Sequence, residues 1–368
     1  MANQFITVKE IARQTLPRLI ENLVFPNLVH KDYSEDFVAG KGATIQVKKP
    51  VQLTASEFDP SSGTSAQDVK EESVPVTLDK LATVDIAFSD MERAVNVDDL
   101  NRLFLEPAAV ALAQKINSDG LELYKDIPYT SGTAGTAPAA LTDISAVRKV
   151  LNANKVPSQG RIAIWDTEAD SNFITIPSIV NAEKSGTTSA LREGSLGRVM
   201  GFDNYMSQAV KTHTKGTISA AVKPKSSTNA GATELTLAAT SVTGTLVKGD
   251  ILTILGDNYV VTEDATAAAN EITVKIYPAL KKDVNTNTAV TVMDSHTANL
   301  AFVPNAFAFV TRPLAAPAGV ESYVTSYNGV TLRVVRGYDM KYKKEMLSMD
   351  VLYGYKTMYP ELACIALG

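Results

Sequence analysis

A chain of 368 residues that is 45% hydrophobic and 20% charged can bury a sizeable core, and its length predicts two or three domains. A formal net charge of -5 argues against a dedicated nucleic-acid binder. No apolar run reaches the roughly eighteen residues that cross a bilayer, the start "MANQFITVKEIARQ" lacks the basic-then-apolar order of a secretory signal, and the single Cys364 offers neither an internal disulfide nor a thiolate metal cage, so the expectation is a soluble, intracellularly made, disulfide-free protein.

The first predicted element is an amphipathic helix. Thr7 and Glu10 form a capping-box pattern, and Val8, Ile11, Ala12, Leu19 and Leu23 recur at helical spacing. Pro17 is expected to kink or split it. Two readings stay open: an ordinary packing helix, or an arm lying on a neighbouring subunit. Residues Gly40 to Phe88 read as one long hairpin, with strand-like limbs Ala43 to Thr54 and Glu72 to Phe88. The polar text between them, "SEFDPSSGTSAQDVKE", predicts an exposed, mobile tip. Pro50 and Pro75 suit sheet edges. Such an excursion is not stable alone, and within one compact domain there is no obvious surface beneath it.

A long helix is predicted from Asp98, with Asp98 and Asp99 at its positive end and Leu100, Leu103, Phe104, Ala108, Ala111, Leu112 and Ile116 as its apolar stripe. Pro107 is expected to bend it. After the loop "TSGTAGTAPAA", Thr142 caps a helix with Ile144, Val147, Val150 and Leu151 inward, and Gly160 to Asp166 reads as a buried strand. From Thr212 to about Asn299 the composition shifts to Thr, Ala, Val, Ser and Gly. The short strands "TELTLAA", "DILTILG", "NYVVTED", "EITVKIY" and "AVTVMD" predict an inserted all-β barrel or sandwich.

The C-terminal text alternates strictly. Leu347, Met349, Val351, Tyr353 and Tyr355 point one way, and Ser348, Asp350, Leu352, Gly354 and Lys356 the other. Ten residues make a strand of roughly 33 Å with one buried face. Val330 to Arg336, carrying Arg333 and Arg336, is its expected partner across a basic bend holding Lys341, Lys343 and Lys344.

Catalytic motifs are scarce. His30, His213 and His296 lie on different predicted elements without ligand spacing. Glu71-Glu72 and Asp98-Asp99 read as a solvated hairpin and a helix start. Gly194, Gly197 and Gly201 are spaced GxxGxxxG, unlike a dinucleotide loop, and read as backbone turns. Cys364 reads as a small core residue. No cofactor, metal site or catalytic residue is expected, and the chain is not expected to be an enzyme.

The order of elements resembles the major capsid (coat) protein family of tailed bacteriophages, with the Hong Kong 97-like α+β fold, in the branch that carries an inserted β-domain. The resemblance rests on "ENLVFPNLVHKDYS", "GATIQVKKP", "EESVPVTLDK" leading to "VDIAFSDME", "LEPAAVALAQKIN", "VNAEKSGTTSALREGSLGRVMGFDNYMSQAV", "LRVVRGYDM" and "MDVLYGYKTMYPELA", spread over most of the chain. It implies an N-terminal arm at 1–36, an extended loop at 37–90, and a peripheral domain at 91–158 and 328–368 with a spine helix and long strands. It further implies an axial domain at 159–211 and 300–327, and the inserted domain at 212–299.

By the same resemblance the chain assembles with copies of itself as hexamers and pentamers into an icosahedral virion shell. That shell forms in the bacterial cytoplasm and encloses DNA without sequence-specific binding or a membrane. Lys48, Lys49, Glu71 and Glu72 on the loop, and Arg192, Glu193 and Arg198 near the axial turn, are candidate subunit contacts, against the plainer reading of solvated surface charge. The short text before the loop implies a separate scaffolding protein, with a portal and decoration proteins as further partners. Lys70 near the loop tip has no marked Asn partner, so cross-linking is not expected. The alternatives are an encapsulin-type compartment shell and a surface-array or carbohydrate-binding β-rich protein.

Overall fold

The computed structural model describes residues 8–31, 44–48, 73–89, 106–186, 188–218, 221–317, 319–327, 329–342 and 344–368. It is a mixed α+β fold in which two sheets share one large core and a third sheet has its own.

The N-terminal helix α1 (Val8–Asn22) runs unsplit through Pro17, which sits on its exposed face. Its buried stripe is Val8, Ile11, Ala12, Leu16 and Leu19. Each large member contributes about 1.5–3 kcal/mol relative to exposure. A short helix α2 (Phe25–Leu28) follows. Asn117 ties the chain between them to the long helix α3 (Glu106–Leu121). Its carboxamide accepts from the backbone N–H of Val24 (3.1 Å) and Phe25 (3.2 Å) and donates to the carbonyl of Asn22 (3.0 Å). So α1 packs against α3 and a sheet of its own chain. Pro107 is the second residue of the described helix, where its missing N–H is tolerated. The predicted start at Asp98 and Asp99 lies outside the described residues.

Strands β1 (Thr44–Lys48) and β2 (Ser73–Thr77) form the predicted antiparallel hairpin, with Pro75 opposite Gln46. The tip, with Pro50 and Lys70, lies outside the described residues. The second limb is not one strand. It breaks at Leu78 and Asp79, and β3 (Lys80–Ser89) leaves the hairpin for another sheet. The hairpin base is also supported within this chain, contrary to expectation. Val47, Val76 and Leu78 pack on Ala308, Val310 and Met358.

Beyond β4 (Thr130–Ser131), helix α4 (Leu141–Ala153) buries Ile144, Val147 and Leu151. Its N-terminus is held by Asp143 rather than by Thr142: the Asp143 carboxylate accepts the N–H groups of Ala139 and Ala140, both at 2.9 Å. Strand β5 (Arg161–Trp165) is buried along its whole length, with Ile162 and Ile164 in the main core and Ala163 and Trp165 on the opposite face. Helix α5 (Thr167–Ile174) is capped by the Asp166 side chain and sends Phe173 against Trp165. A short helix α6 (Ser189–Glu193) leads into β6 (Arg198–Val199) and β7 (Phe202–Met206). Strand β8 (Thr212–His213) follows.

Between Lys223 and Val292 the chain builds a separate six-stranded sheet. Its members are β9 (Lys223–Pro224), β10 (Glu234–Ala238), β12 (Ile251–Ile254), β13 (Asp257–Val261), β15 (Glu271–Tyr277) and β16 (Val290–Val292). The small pair β11 (Thr245–Leu246) and β14 (Ala265–Thr266) lies beside it. This unit has its own core of Leu235, Leu237, Leu252, Tyr259, Val261, Ile272 and Val274.

Strand β17 (His296–Phe302) belongs instead to the seven-stranded sheet. There it pairs with β5, with β8, and with the last strand, β22 (Ala363–Leu367). The text from His296 to Asn299 therefore lies in this sheet and not in the six-stranded one. Cys364 and Ala366 face α4, while Ile365 and Leu367 face the main core, so both sides of this sheet are covered.

The five-stranded sheet contains β3, β18 (Phe307–Thr311), β19 (Glu321–Tyr327), β20 (Val330–Asp339) and β21 (Lys344–Thr357). At fourteen residues β21 is longer than expected, and it pairs with β20 on one edge and β3 on the other. Leu347, Met349, Val351 and Tyr353 are buried as the alternation requires. The opposite face is not simply solvated. Asp350 is buried in an ion pair with Arg333, whose Nε donates at 2.9 Å, and Gly354 is buried beneath the backbone of Thr77.

Candidate subunit-contact site

Three of the seven candidate contact residues fall together. Arg192 and Glu193 end α6, and Gly194 at φ +64° turns the chain toward the β6–β7 hairpin, where Arg198 Nε lies 3.8 Å from Asp203. Gly197 (φ +59°) and Gly201 (φ +89°) shape that hairpin, as the reading of these glycines as turns required. Asn204 holds it to the sheet: it donates to the Gly197 carbonyl at 3.0 Å and accepts from Trp165 Nε1 at 2.9 Å. Arg192, Glu193 and Arg198 are all exposed. A pair as open as Arg198–Asp203 contributes about 0–1 kcal/mol, so these charges do little for this fold. Lys48 is the last residue of β1, and Lys49, Glu71 and Glu72 lie outside the described residues.

Apolar side chains that sequence reasoning missed are exposed on the same stretch of chain. Leu191 is 69% exposed, and Met200, Tyr205 and Met206 are exposed as well, Tyr205 and Met206 on opposite faces of β7. A second such stretch is the end of the β20–β21 hairpin. Met340 is 78% and Tyr342 62% exposed, with Tyr338 and Met346 nearby. At its end the Asp339 carboxylate accepts the N–H groups of Lys341 (2.8 Å) and Tyr342 (3.2 Å), and the Lys341 ammonium sits 5.0 Å from the Tyr342 ring centre. The sequence marked this bend only by its lysines. Residue type alone cannot tell an exposed Met or Tyr from a buried one. Clustered exposed apolar groups are the chemistry of a surface that meets another protein.

An open cleft of about 730 Å³ lies between α3 and the segment after β7, lined by Asn22, Val24, Val110, Lys115, Met206 and Lys211 among others. It is mixed in polarity, and no group of three or more His, Cys, Asp or Glu that could hold a metal ion occurs among the described residues.

Folding does bring two of the three histidines together. His213 and His296 are directly opposed in the β8–β17 pair, with ring centres 5.4 Å apart. His213 Nδ1 lies 3.0 Å from the Tyr124 hydroxyl, and Nε2 lies 2.9 Å from Asp250. Burial pushes the Tyr124 hydroxyl up to about 12, aided by the charges of Glu122 and Asp250. The order Tyr-His-Asp is that of a proton relay, yet Tyr124, His213 and Asp250 are all buried and meet no substrate surface. His30 is elsewhere, bridging to Ala308. Burial also pushes the Cys364 thiol far up, consistent with an inert core residue.

No sequence family and no curated protein matches this chain. Solved structures do. A chain from Mycobacterium phage Che8 aligns over 94% of this chain and 90% of its own length, with a TM-score of 0.56 and 17% identity. A chain of the cyanophage P-SCSP1u capsid aligns over 94% and 88%, with a TM-score of 0.50 and 13% identity. A chain from the asymmetric unit of the bacteriophage PhiM1 mature capsid aligns over 94% and 86%, at 0.50 and 11%. Over 94% of its length, this chain has the fold of phage capsid chains.

Proposed function

We propose that this chain is the major capsid protein of a tailed bacteriophage, with a Hong Kong 97-like fold. It assembles as hexamers and pentamers into an icosahedral shell around double-stranded DNA. The observation that carries this reading is the match in fold to phage capsid chains over 94% of the sequence. The exposed apolar side chains Leu191, Met200, Tyr205 and Met206, and those at the end of the β20–β21 hairpin, fit the same reading, since an isolated subunit gains nothing from exposing them.

In this assignment the β1–β2 hairpin is the root of the extended loop, α3 is the spine helix, and the five-stranded sheet is the peripheral domain. The seven-stranded sheet is the axial domain, and the six-stranded sheet is the insertion. Lys48, Lys49, Glu71 and Glu72 act on the loop, and Arg192, Glu193 and Arg198 act around the axial turn. The role is structural rather than catalytic. Each contact contributes little, but closed symmetry repeats it around every ring and across the shell. The net charge of -5 suits a wall that must not trap the genome. Partners are further copies of the chain, a separate scaffolding protein and a portal, with the virion as the location.

The test is electron microscopy of the purified protein, alone and with its scaffold. Icosahedral shells of genome-packaging size are expected. A chain that stays monomeric under every assembly condition would overturn the reading, and only small uniform shells would point to an encapsulin-type compartment.

A further inference from the structure

His213 ends the last strand before the inserted sheet, and His296 begins the first strand after it. Each crossing of the neck therefore carries a histidine, and the β8–β17 register sets the two face to face, with ring centres 5.4 Å apart. Both are almost fully buried, at 3% and 2% exposure.

His213 joins the two units directly. On one side is Tyr124, from the turn that ends α3 in the body, at 3.0 Å. On the other is Asp250, fully buried in the insert, at 2.9 Å. Asp250 also accepts the N–H groups of Gly216 (3.2 Å) and Val247 (2.8 Å), so one carboxylate gathers the segment after β8 and the turn after β11. The packing leaves no slack: a Cβ on Gly249 would meet Lys125 at 2.9 Å and His213 at 3.1 Å.

His296 is the weak member. Its Nδ1 donates to the Asp294 carbonyl at 2.8 Å, while its Nε2 is buried without a partner. A proton on Nε2 would place a charged donor in an apolar, unpaired position beside a second histidine. The other titratable groups around the neck are already engaged. Lys248 pairs with Asp126 at 3.0 Å, Lys215 pairs with the Asp294 side chain at 2.8 Å, Glu122 lies near Tyr124, and the Lys125 stem packs on Gly249. The Asp294 carbonyl and the charge of Asp250 favour a protonated His296, but burial and the neighbouring His213 outweigh them, and no side chain accepts from its Nε2.

We propose that His296, packed on His213, is an acid-sensitive latch at the neck, which fixes the inserted sheet against the body at neutral pH and releases it on acidification while both units stay folded. The insert can remain folded because it has its own core, apart from Ile251, which packs into the body's. The direction follows from linkage. Burial lowers the pKa of His296 below its usual 6.5, so an opened neck binds the proton more readily than a closed one. The latch is at full strength above about pH 6.5 and weakens as the pH falls below that.

Hydrogen exchange of the full-length, unassembled chain, corrected for intrinsic rates, tests this between about pH 7.5 and about pH 5.5. Amides at 212–217, 247–251 and 293–298 are expected to lose protection across this range, with most of the loss below about pH 6.5. Amides of Ile162 to Trp165 in the body and Leu235 to Leu237 in the insert are expected to hold theirs. His296→Phe, which keeps a ring but cannot be protonated, should abolish the pH response at the neck. Unchanged neck protection, equal loss in all three regions, or a pH response that survives in H296F would each overturn the latch. Should H296F not fold, the wild-type imidazole titration decides: His296 must titrate below 6.5 and together with neck opening, and titration above that value refutes the proposal.

Discussion

Tyr353, in the longest strand, donates its hydroxyl hydrogen to the buried carboxylate of Asp119 on α3 at 2.7 Å, across 234 positions of sequence. Lys115 reaches the same carboxylate at 2.8 Å, and Lys80 at the start of β3 stands 3.6 Å away. One acidic side chain thus fastens the long helix, the long strand and the strand that leaves the hairpin. Tyr353→Phe removes one donor and leaves part of that carboxylate unpaired. A loss of about 1.5–3 kcal/mol in urea unfolding of the unassembled subunit is expected.

Acid should weaken the same junction. Burial pushes the Asp119 carboxyl up, but the hydrogen bonds from Lys115 and Tyr353 and the charge of Lys80 outweigh it and hold it below its usual 3.8. A group whose folded pKa is depressed stabilises the fold above the unfolded value and loses that contribution as pH falls below it. Asp119→Asn should therefore flatten the stability–pH curve below about pH 4, measured by denaturant midpoints in a pH series. An unchanged acid limb would show that Asp119 is not its source.

Gly354 on β21 is required by contact. A Cβ there would come within 2.0 Å of the Thr77 carbonyl oxygen. Gly354→Ala must push the hairpin base off the sheet, and a loss of about 1–3 kcal/mol is expected. Faster hydrogen exchange at Val74 and Val76 would accompany it, with α1 unaffected.

The buried face of β21 should not tolerate charge. Val351→Asp or Met349→Lys sets an unpaired ion in the main core, and soluble, folded subunit should be lost. Met346→Lys on the same strand, at an exposed position, should fold normally in circular dichroism and thermal melting. Intact particles from V351D would mean that the face is misread.

The exposed apolar surfaces should matter for association and not for folding. Leu191→Ser, Met340→Ser and Tyr342→Ser should each change subunit stability by no more than about 0.5 kcal/mol. Sedimentation under assembly conditions should nevertheless show a clear loss of particles. Assembly at the normal rate in all three would remove these surfaces from the proposed contacts.

What could be read in advance follows from the range of each signal. The alternation from Leu347 to Tyr355 and the Thr- and Val-rich strands of the six-stranded sheet are local patterns, and both appear as strands. The division at Leu78 and Asp79 was hidden because β2 and β3 share one composition; what separates them is partner choice, β1 for one and β21 for the other. Asp119 carried no mark either, since its partners lie on β3, α3 and β21. The histidine pair was missed for the same reason: its 83 positions of separation enclose the whole insert, and only the β8–β17 register closes that gap. Leu191, Met340 and Tyr342 looked like ordinary hydrophobic residues, and only a fold could show them facing out.

The two-residue break after β2 also has a mechanical side. Tension carried down the second limb of the hairpin passes through Thr77 to Lys80, where β3 begins its ten-residue register with β21, from Lys80 opposite Tyr353 to Ser89 opposite Lys344. A pull directed along β3 loads those rungs in shear, all together, rather than unzipping them one at a time. An excursion rooted in this way can be tugged by whatever holds its far end without tearing out of the molecule that bears it.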